Sequence, residues 1–120
     1  EVKAWLLAAA RRAERDGVRR SRIILDPGIG FGKTARHNWE ILRDLPELVA
    51  AGYPVLVGPS RKSFLTSVLG PKPPRERIWG TAAVAAWAVA AGVRILRVHD
   101  VAEMIQVVRT AEAVRAGGSR

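Results

Sequence analysis

Three short apolar runs set what this chain can fold into: Ile23-Ile24-Leu25, then residues 54–58, Pro-Val-Leu-Val-Gly, then residues 93–100, Val-Arg-Ile-Leu-Arg-Val-His-Asp. They are rich in β-branched residues, bounded by Gly or Pro, and separated by stretches long enough to hold helices. Unbroken hydrophobicity is the mark of strands buried on both faces, and strands that alternate with helices pair in parallel. Between the runs, residues 2–15 place Trp5, Leu6, Ala9 and Ala13 at helical spacing, with Gly17 as C-cap. Residues 35–51 carry a stripe of Trp39, Leu42, Leu45, Leu48 and Val49 closed by Gly52. A short helical piece reaches Leu69 before the break Gly70-Pro71-Lys72-Pro73-Pro74. Residues 75–91 form a helix whose small residues Ala82, Ala83, Ala85, Ala86 and Ala90 permit close packing, stopped by Gly92, and residues 101–116 form the last, ended by Gly117-Gly118. The expected architecture is α/β, about three parallel strands alternating with four helices.

Composition narrows the partners. With 120 residues and 48% hydrophobic content the chain builds one core. Its longest apolar stretch, residues 81–93, falls short of the ~20 residues of a membrane span, so no membrane is expected. No stretch reads as a leader peptide, and the first residue is Glu1, which points to a piece of something longer. The absence of cysteine excludes disulfides, thiolate metal sites and a cysteine nucleophile, and fits a reducing compartment. The net charge of +9 raises nucleic acid as a partner, but the basic residues are scattered. Only Arg11-Arg12 to Arg19-Arg20-Ser21-Arg22 clusters, as a solvated face would, so no nucleic acid is expected. The same charge suits an enzyme with anionic substrates.

In a parallel array all strand C-termini point one way, so the residues that follow the three runs should share one surface. The first run leads into Asp26-Pro27-Gly28-Ile29-Gly30-Phe31-Gly32-Lys33. Gly28, Gly30 and Gly32 allow positive φ and close approach to a flat or anionic ligand, although the spacing matches neither dinucleotide nor P-loop fingerprints. The plainer reading is a tight turn with Asp26 capping the next helix. Ser60-Arg61-Lys62 follows the second run; if it stays extended, Ser60 and Lys62 share a side. Arg97 and His99 share a side of the third, a guanidinium beside an imidazole, which makes an anion site. Lys62 near a carboxylate such as Asp26 would hold a heterocycle with both donors and acceptors. Ser60 and the helix start behind it offer a seat for a small carboxylate, or Ser60 or Ser63 is an ordinary N-cap. Asp100 is expected to cap the last helix, His37 to lie on a solvated helix start, and Trp79 and Trp87 to be exposed.

Together the three motifs resemble dihydropteroate synthases, as do His37-Asn38 and Gly80-Thr81-Ala82-Ala83, over nearly the whole chain. The resemblance implies the C-terminal part of a TIM (β/α)8 barrel, residues 1–120 forming a single partial domain from helix 5 to helix 8. It implies a cytoplasmic transferase of folate biosynthesis, of a kind that sulfonamides target, that joins p-aminobenzoate to 6-hydroxymethyl-7,8-dihydropterin diphosphate. Asp26, Lys62, Arg97 and His99 are then catalytic. Asp26 binds the pterin and stabilises positive charge, Lys62 hydrogen-bonds the pterin, and Arg97 stacks on it and holds the diphosphate with His99. Ser60 receives the aminobenzoate carboxylate, Phe31 packs beside that ring, and Gly58 and Arg61 complete the substrate-binding set. Mg2+ would be held by parts of the barrel outside these residues and by the diphosphate, with no metal ligand here, and the full-length form would be a homodimer. Alone, the chain should be inactive and poorly stable. A methyltetrahydrofolate-type pterin-binding methyltransferase and a non-catalytic pterin-binding paralogue are the alternatives; the Ser60-Arg61-Lys62 and Arg97-Val98-His99 runs argue against the first.

Overall fold

The computed structural model describes residues 2–31 and 33–118. Helix α1 (Val2–Arg15) leads through a 3-10 turn (Arg20–Arg22) to the first apolar run, after which come α2 (Ala35–Arg43), α3 (Leu45–Val49) and strand β1 (Leu56–Val57). A 3-10 turn (Ser63–Leu65) runs into α4 (Thr66–Leu69), and a second (Pro74–Arg77) into α5 (Ile78–Ala91). Strand β2 (Ile95–Leu96) and α6 (Val101–Arg115) complete the order.

The strands are parallel and shorter than the apolar runs. β1 pairs with β2 in the register Leu56 to Ile95 and Val57 to Leu96, and the first run contributes one parallel bridge, Leu25 to Val55. The Leu25 N–H donates to Pro54 O and the Leu56 N–H to Leu25 O, which carries the array across all three runs. Paired residues of a parallel ladder point to the same side, and side chains alternate along each strand. Leu25, Val55 and Val57 are thus buried against the helices, whereas Ile24 is 52% exposed and Leu56 and Ile95 are half-buried. The expectation of strands buried on both faces holds for one face only. Two residues further along the less covered face stand Asp26, Gly58 and Arg97.

The helix expected over residues 35–51 is broken at Asp44. Pro46 has no N–H to give the Leu42 carbonyl four residues back, so α2 cannot continue through it. The Asp44 N–H turns back to Glu40 O and Leu42 O, and the Trp87 indole N–H of α5 also donates to Leu42 O at 2.5 Å. Trp87 is therefore partly exposed yet anchored, while Trp79 is 80% exposed. In α1 the buried residues are Leu6 and Ala10, and Trp5, expected on the stripe, is exposed. In α5, Ala85 and Ala88 are fully buried while Ala83 and Ala90 face out, so the small residues cover only one side of the helix. Of the basic cluster, Arg20 does more than face solvent: it lies over the Tyr53 ring at 4.0 Å and donates to Ala51 O at 2.7 Å. Tyr53 in turn donates to Glu14, an acceptor that holds the phenol pKa up.

Helix α6 buries only Met104, and a groove of about 990 Å³ lies beside it, lined by Val93, Leu96, Val101, Ile105 and Val108 among others and reaching Arg97. It runs past Leu96 of β2, which pairs with no strand other than β1 among the described residues. No helix among the described residues is long and apolar enough to cross a membrane.

Candidate functional site

Positive φ values at Gly28 (71°) and Gly30 (85°) fold the first loop back on itself; Gly32 lies outside the described residues. The loop is held by three groups. Asp26 Oδ1 accepts the Gly28 N–H at 2.8 Å, Lys33 Nζ donates to Gly28 O and Phe31 O, each at 3.0 Å, and the Gly30 N–H donates to Asn38 Oδ1 at 2.8 Å. Asp26 does not cap α2. That task falls to Thr34, whose hydroxyl accepts the His37 N–H, and His37 is exposed as expected. Asp26 is exposed, and its second oxygen takes no hydrogen bond among the described residues.

Lys62 crosses this loop. A Cβ added at Gly30 would lie 2.9 Å from Lys62 Cδ, and the ammonium sits 4.1 Å from the centroid of the exposed Phe31 ring. The expected approach of Lys62 to Asp26 is not made, since no described carboxylate lies within ion-pair distance of it. Both charges stay open to a ligand. Gly30→Ala is expected to destabilise by about 1–2 kcal/mol from the left-handed backbone alone and to push Lys62 aside. Denaturant unfolding reads the first effect, and ligand affinity reads the second.

Extended geometry does not persist through Ser60-Arg61-Lys62. Arg61 has φ +55°, the only non-glycine positive φ among the described residues, so Ser60 and Lys62 leave the strand in different directions. A left-handed arginine costs energy unless its surroundings hold it. Here the Arg61 N–H donates to Thr81 Oγ1 at 3.0 Å, Arg61 O accepts from Arg77 Nη1 at 2.8 Å, and the guanidinium grips Asp100 through Nε (3.1 Å) and Nη2 (2.6 Å). Asp100 thus stands at the N-cap position of α6 without capping it, because a bidentate charge-assisted pair outcompetes one neutral N–H. Ser60 and Ser63 do not cap the following turn either: Ser60 pairs with His99, and Lys62 holds the N-cap position, with no side-chain bond.

The Arg61 hydrogen bond and charge hold the Asp100 carboxyl below the usual carboxylate range, and Asp100 raises Arg61. A carboxyl depressed in the folded state contributes stability above its unfolded pKa, near 3.9, and loses it as pH falls through the lower folded value. Asp100→Asn should therefore lower the melting temperature at neutral pH by an amount that stays constant down to about pH 4 and vanishes in stronger acid. A gap that persists unchanged in strong acid would place the loss elsewhere.

Ser60 is buried and joins the second strand end to the third. Its Oγ accepts the His99 N–H at 2.9 Å and lies 2.7 Å from His99 Nδ1. The imidazole tautomer decides what each group offers. With the proton on Nε2, the Ser60 hydroxyl donates to Nδ1 and His99 presents Nε2–H to a ligand. With a proton on Nδ1, both Ser60 lone pairs are used and its own proton is free. Arg97 is exposed beside this pair; its N–H continues the ladder to Val57 O, and a Cβ on Gly58 would stand 3.8 Å from Arg97 Cβ. The structure thus joins Ser60 to His99, Gly58 to Arg97, and Lys62 to Phe31, whereas Arg61 is committed to Asp100. Thr81 and Asn38, both fully buried and polar, were given no role from sequence. The available signal was a polar residue inside a helical apolar pattern.

Among the described residues no three His, Asp or Glu side chains stand close enough to hold a metal ion.

What the fold and this surface define is an α/β protein with a cationic strand-end site suited to a flat heterocycle and an anion. Residues 1–99 match the family model described as pterin binding enzyme, and the chain belongs to that family. It is 49% identical over 114 residues to the dihydropteroate synthase of Synechocystis, covering 95% of this chain and 39% of that protein. With the Mycobacterium leprae dihydropteroate synthase the identity is 42%, covering 94% and 42%. The Thermus thermophilus dihydropteroate synthase in complex with 4-aminobenzoate superposes with a TM-score of 0.87 at 48% identity, covering 94% of this chain and 43% of that one. The Coxiella burnetii enzyme in complex with pteroic acid gives 0.91 at 39% identity, covering 97% and 43%. The chain spans about two fifths of the length of these relatives.

Proposed function

We propose that this chain is the C-terminal part of a TIM-barrel dihydropteroate synthase, one partial domain over residues 1–120 that supplies three of the barrel's strand ends. The observation that carries the reading is the Ser60 to His99 junction, which ties an anion site to a carboxylate seat, with Lys62 beside them over Phe31. In this assignment the open Asp26 oxygen accepts pterin N–H groups and Lys62 meets the pterin's acceptors. Arg97 and His99 Nε2–H hold the diphosphate. When both ring nitrogens carry a proton, Nε2–H faces the diphosphate and Ser60 is free to give its own proton to the aminobenzoate carboxylate, and Phe31 packs against the ring. Gly58, lacking a side chain, keeps the floor beside Arg97 clear. The pair formed with Asp100 makes Arg61 a support for the turn.

The chemistry asks for no protein nucleophile. The arylamine nitrogen attacks the exocyclic methylene carbon of the pterin, the C–O bond to the diphosphate breaks, and pyrophosphate leaves with the bonding pair. The attacking nitrogen, now bonded to that carbon and positively charged, then releases its extra proton to solvent. Positive charge gathers on the pterin as the C–O bond breaks and negative charge on the leaving group, so Asp26 and the Arg97-His99 pair act where charge develops. A cytoplasmic homodimer that uses Mg2+ and is open to sulfonamides is the corresponding full-length form.

The test is p-aminobenzoate-dependent pyrophosphate release from dihydropterin diphosphate by this chain joined to the upstream half of a full-length relative such as the Thermus thermophilus enzyme. Turnover supports the reading. A folded fusion that binds pterin without turnover would point to a non-catalytic paralogue.

A further inference from the structure

We propose that Asn38 is a positioning residue of the site: its buried amide clamps the Gly30 N–H and thereby sets where Phe31 and Lys62 stand. The inference rests on the assignment of Phe31 and Lys62 to the ligand surface. Asn38 is 1% exposed inside α2, where an apolar residue would serve the core as well. A buried amide is costly unless its bonds are made. Asn38 Oδ1 accepts from Gly30 at 2.8 Å and Nδ2 donates to Thr34 O at 3.1 Å, so one side chain links the loop to the start of the helix. The other tethers of the loop, Asp26 and Lys33, lie nearer the solvent. Gly30 is also the point where the loop touches Lys62, and Phe31, which follows it, carries the ring under the ammonium. A shift at Gly30 moves both groups.

Two variants of the joined protein separate this role from plain stabilisation. Asn38→Ala removes both bonds, whereas Asn38→Asp keeps the acceptor facing Gly30 and loses the donor to Thr34. Asn38→Ala should lower kcat/KM for p-aminobenzoate by about tenfold or more, chiefly through KM, as expected for loss of a buried hydrogen bond. It should also speed amide hydrogen exchange in the peptide covering residues 26–33, while the protein stays folded at the assay temperature. Asn38→Asp should keep most of both properties. A lower melting temperature with unchanged KM and unchanged exchange would overturn the proposal, as would an Asp variant that falls as far as Ala. If the parent fusion shows no turnover, the functional reading fails, and the exchange measurement still decides whether Asn38 holds the loop.

Discussion

Replacing Lys62 with alanine in the joined protein should reduce turnover by roughly 10²–10³-fold, the usual cost of removing one preorganised electrostatic group, while leaving the melting temperature nearly unchanged. The second half of that expectation follows from what Lys62 touches. Its ammonium pairs with no described carboxylate and lies over the Phe31 ring, and its methylenes pass beside Gly30. An exposed cation over a ring contributes about 0.5–1 kcal/mol, too little to decide folding. Lys62→Arg keeps the charge but spreads it over a planar fork, and should recover little. Unfolding of Lys62→Ala, or turnover close to the parent's, would remove Lys62 from the reacting site.

The 120 residues by themselves should show no p-aminobenzoate-dependent pyrophosphate release and a weak, broad unfolding transition. The reason is uncovered surface. Ile24 is half exposed on the strand face that carries Asp26, α6 buries one side chain, the groove beside it is lined largely by apolar residues, and β2 pairs only with β1 among the described residues. An open parallel edge with an apolar face favours association over a unique monomer. In the proposed assignment, the three strand ends supply only part of the pterin's surroundings, since the chain spans about two fifths of its relatives' length. Size-exclusion chromatography, urea unfolding and the pyrophosphate assay on the isolated chain test this together. A monodisperse, active preparation would show that the chain completes its own site.

How much of this could be read without the structure depends on the range of the interaction. Hydrophobic period and Gly or Pro punctuation located the helices, because both act within a few residues along the chain. The meeting of Ser60 with His99 and of Lys62 with the glycine loop was foreshadowed by one rule of topology, that parallel strand ends share a surface. The break at Asp44 was legible in Pro46, but the indole that also donates to the Leu42 carbonyl comes from 45 residues away.

The amino-acid sequence by itself determined the α/β alternation, the three strand-end motifs and, through them, the family. Only the tertiary structure decided how those motifs are held. Asp100 is a local cap candidate in every window of sequence, yet it binds Arg61, 39 residues distant, because an ion pair with two hydrogen bonds outweighs one N–H at its own helix start. Arg61 takes a left-handed backbone because Thr81, Arg77 and Asp100 converge on it, and that bend parts Ser60 from Lys62. Asn38 and Thr81 gained their roles the same way, since a buried polar group is defined by the partner that satisfies it, and that partner is brought by the fold.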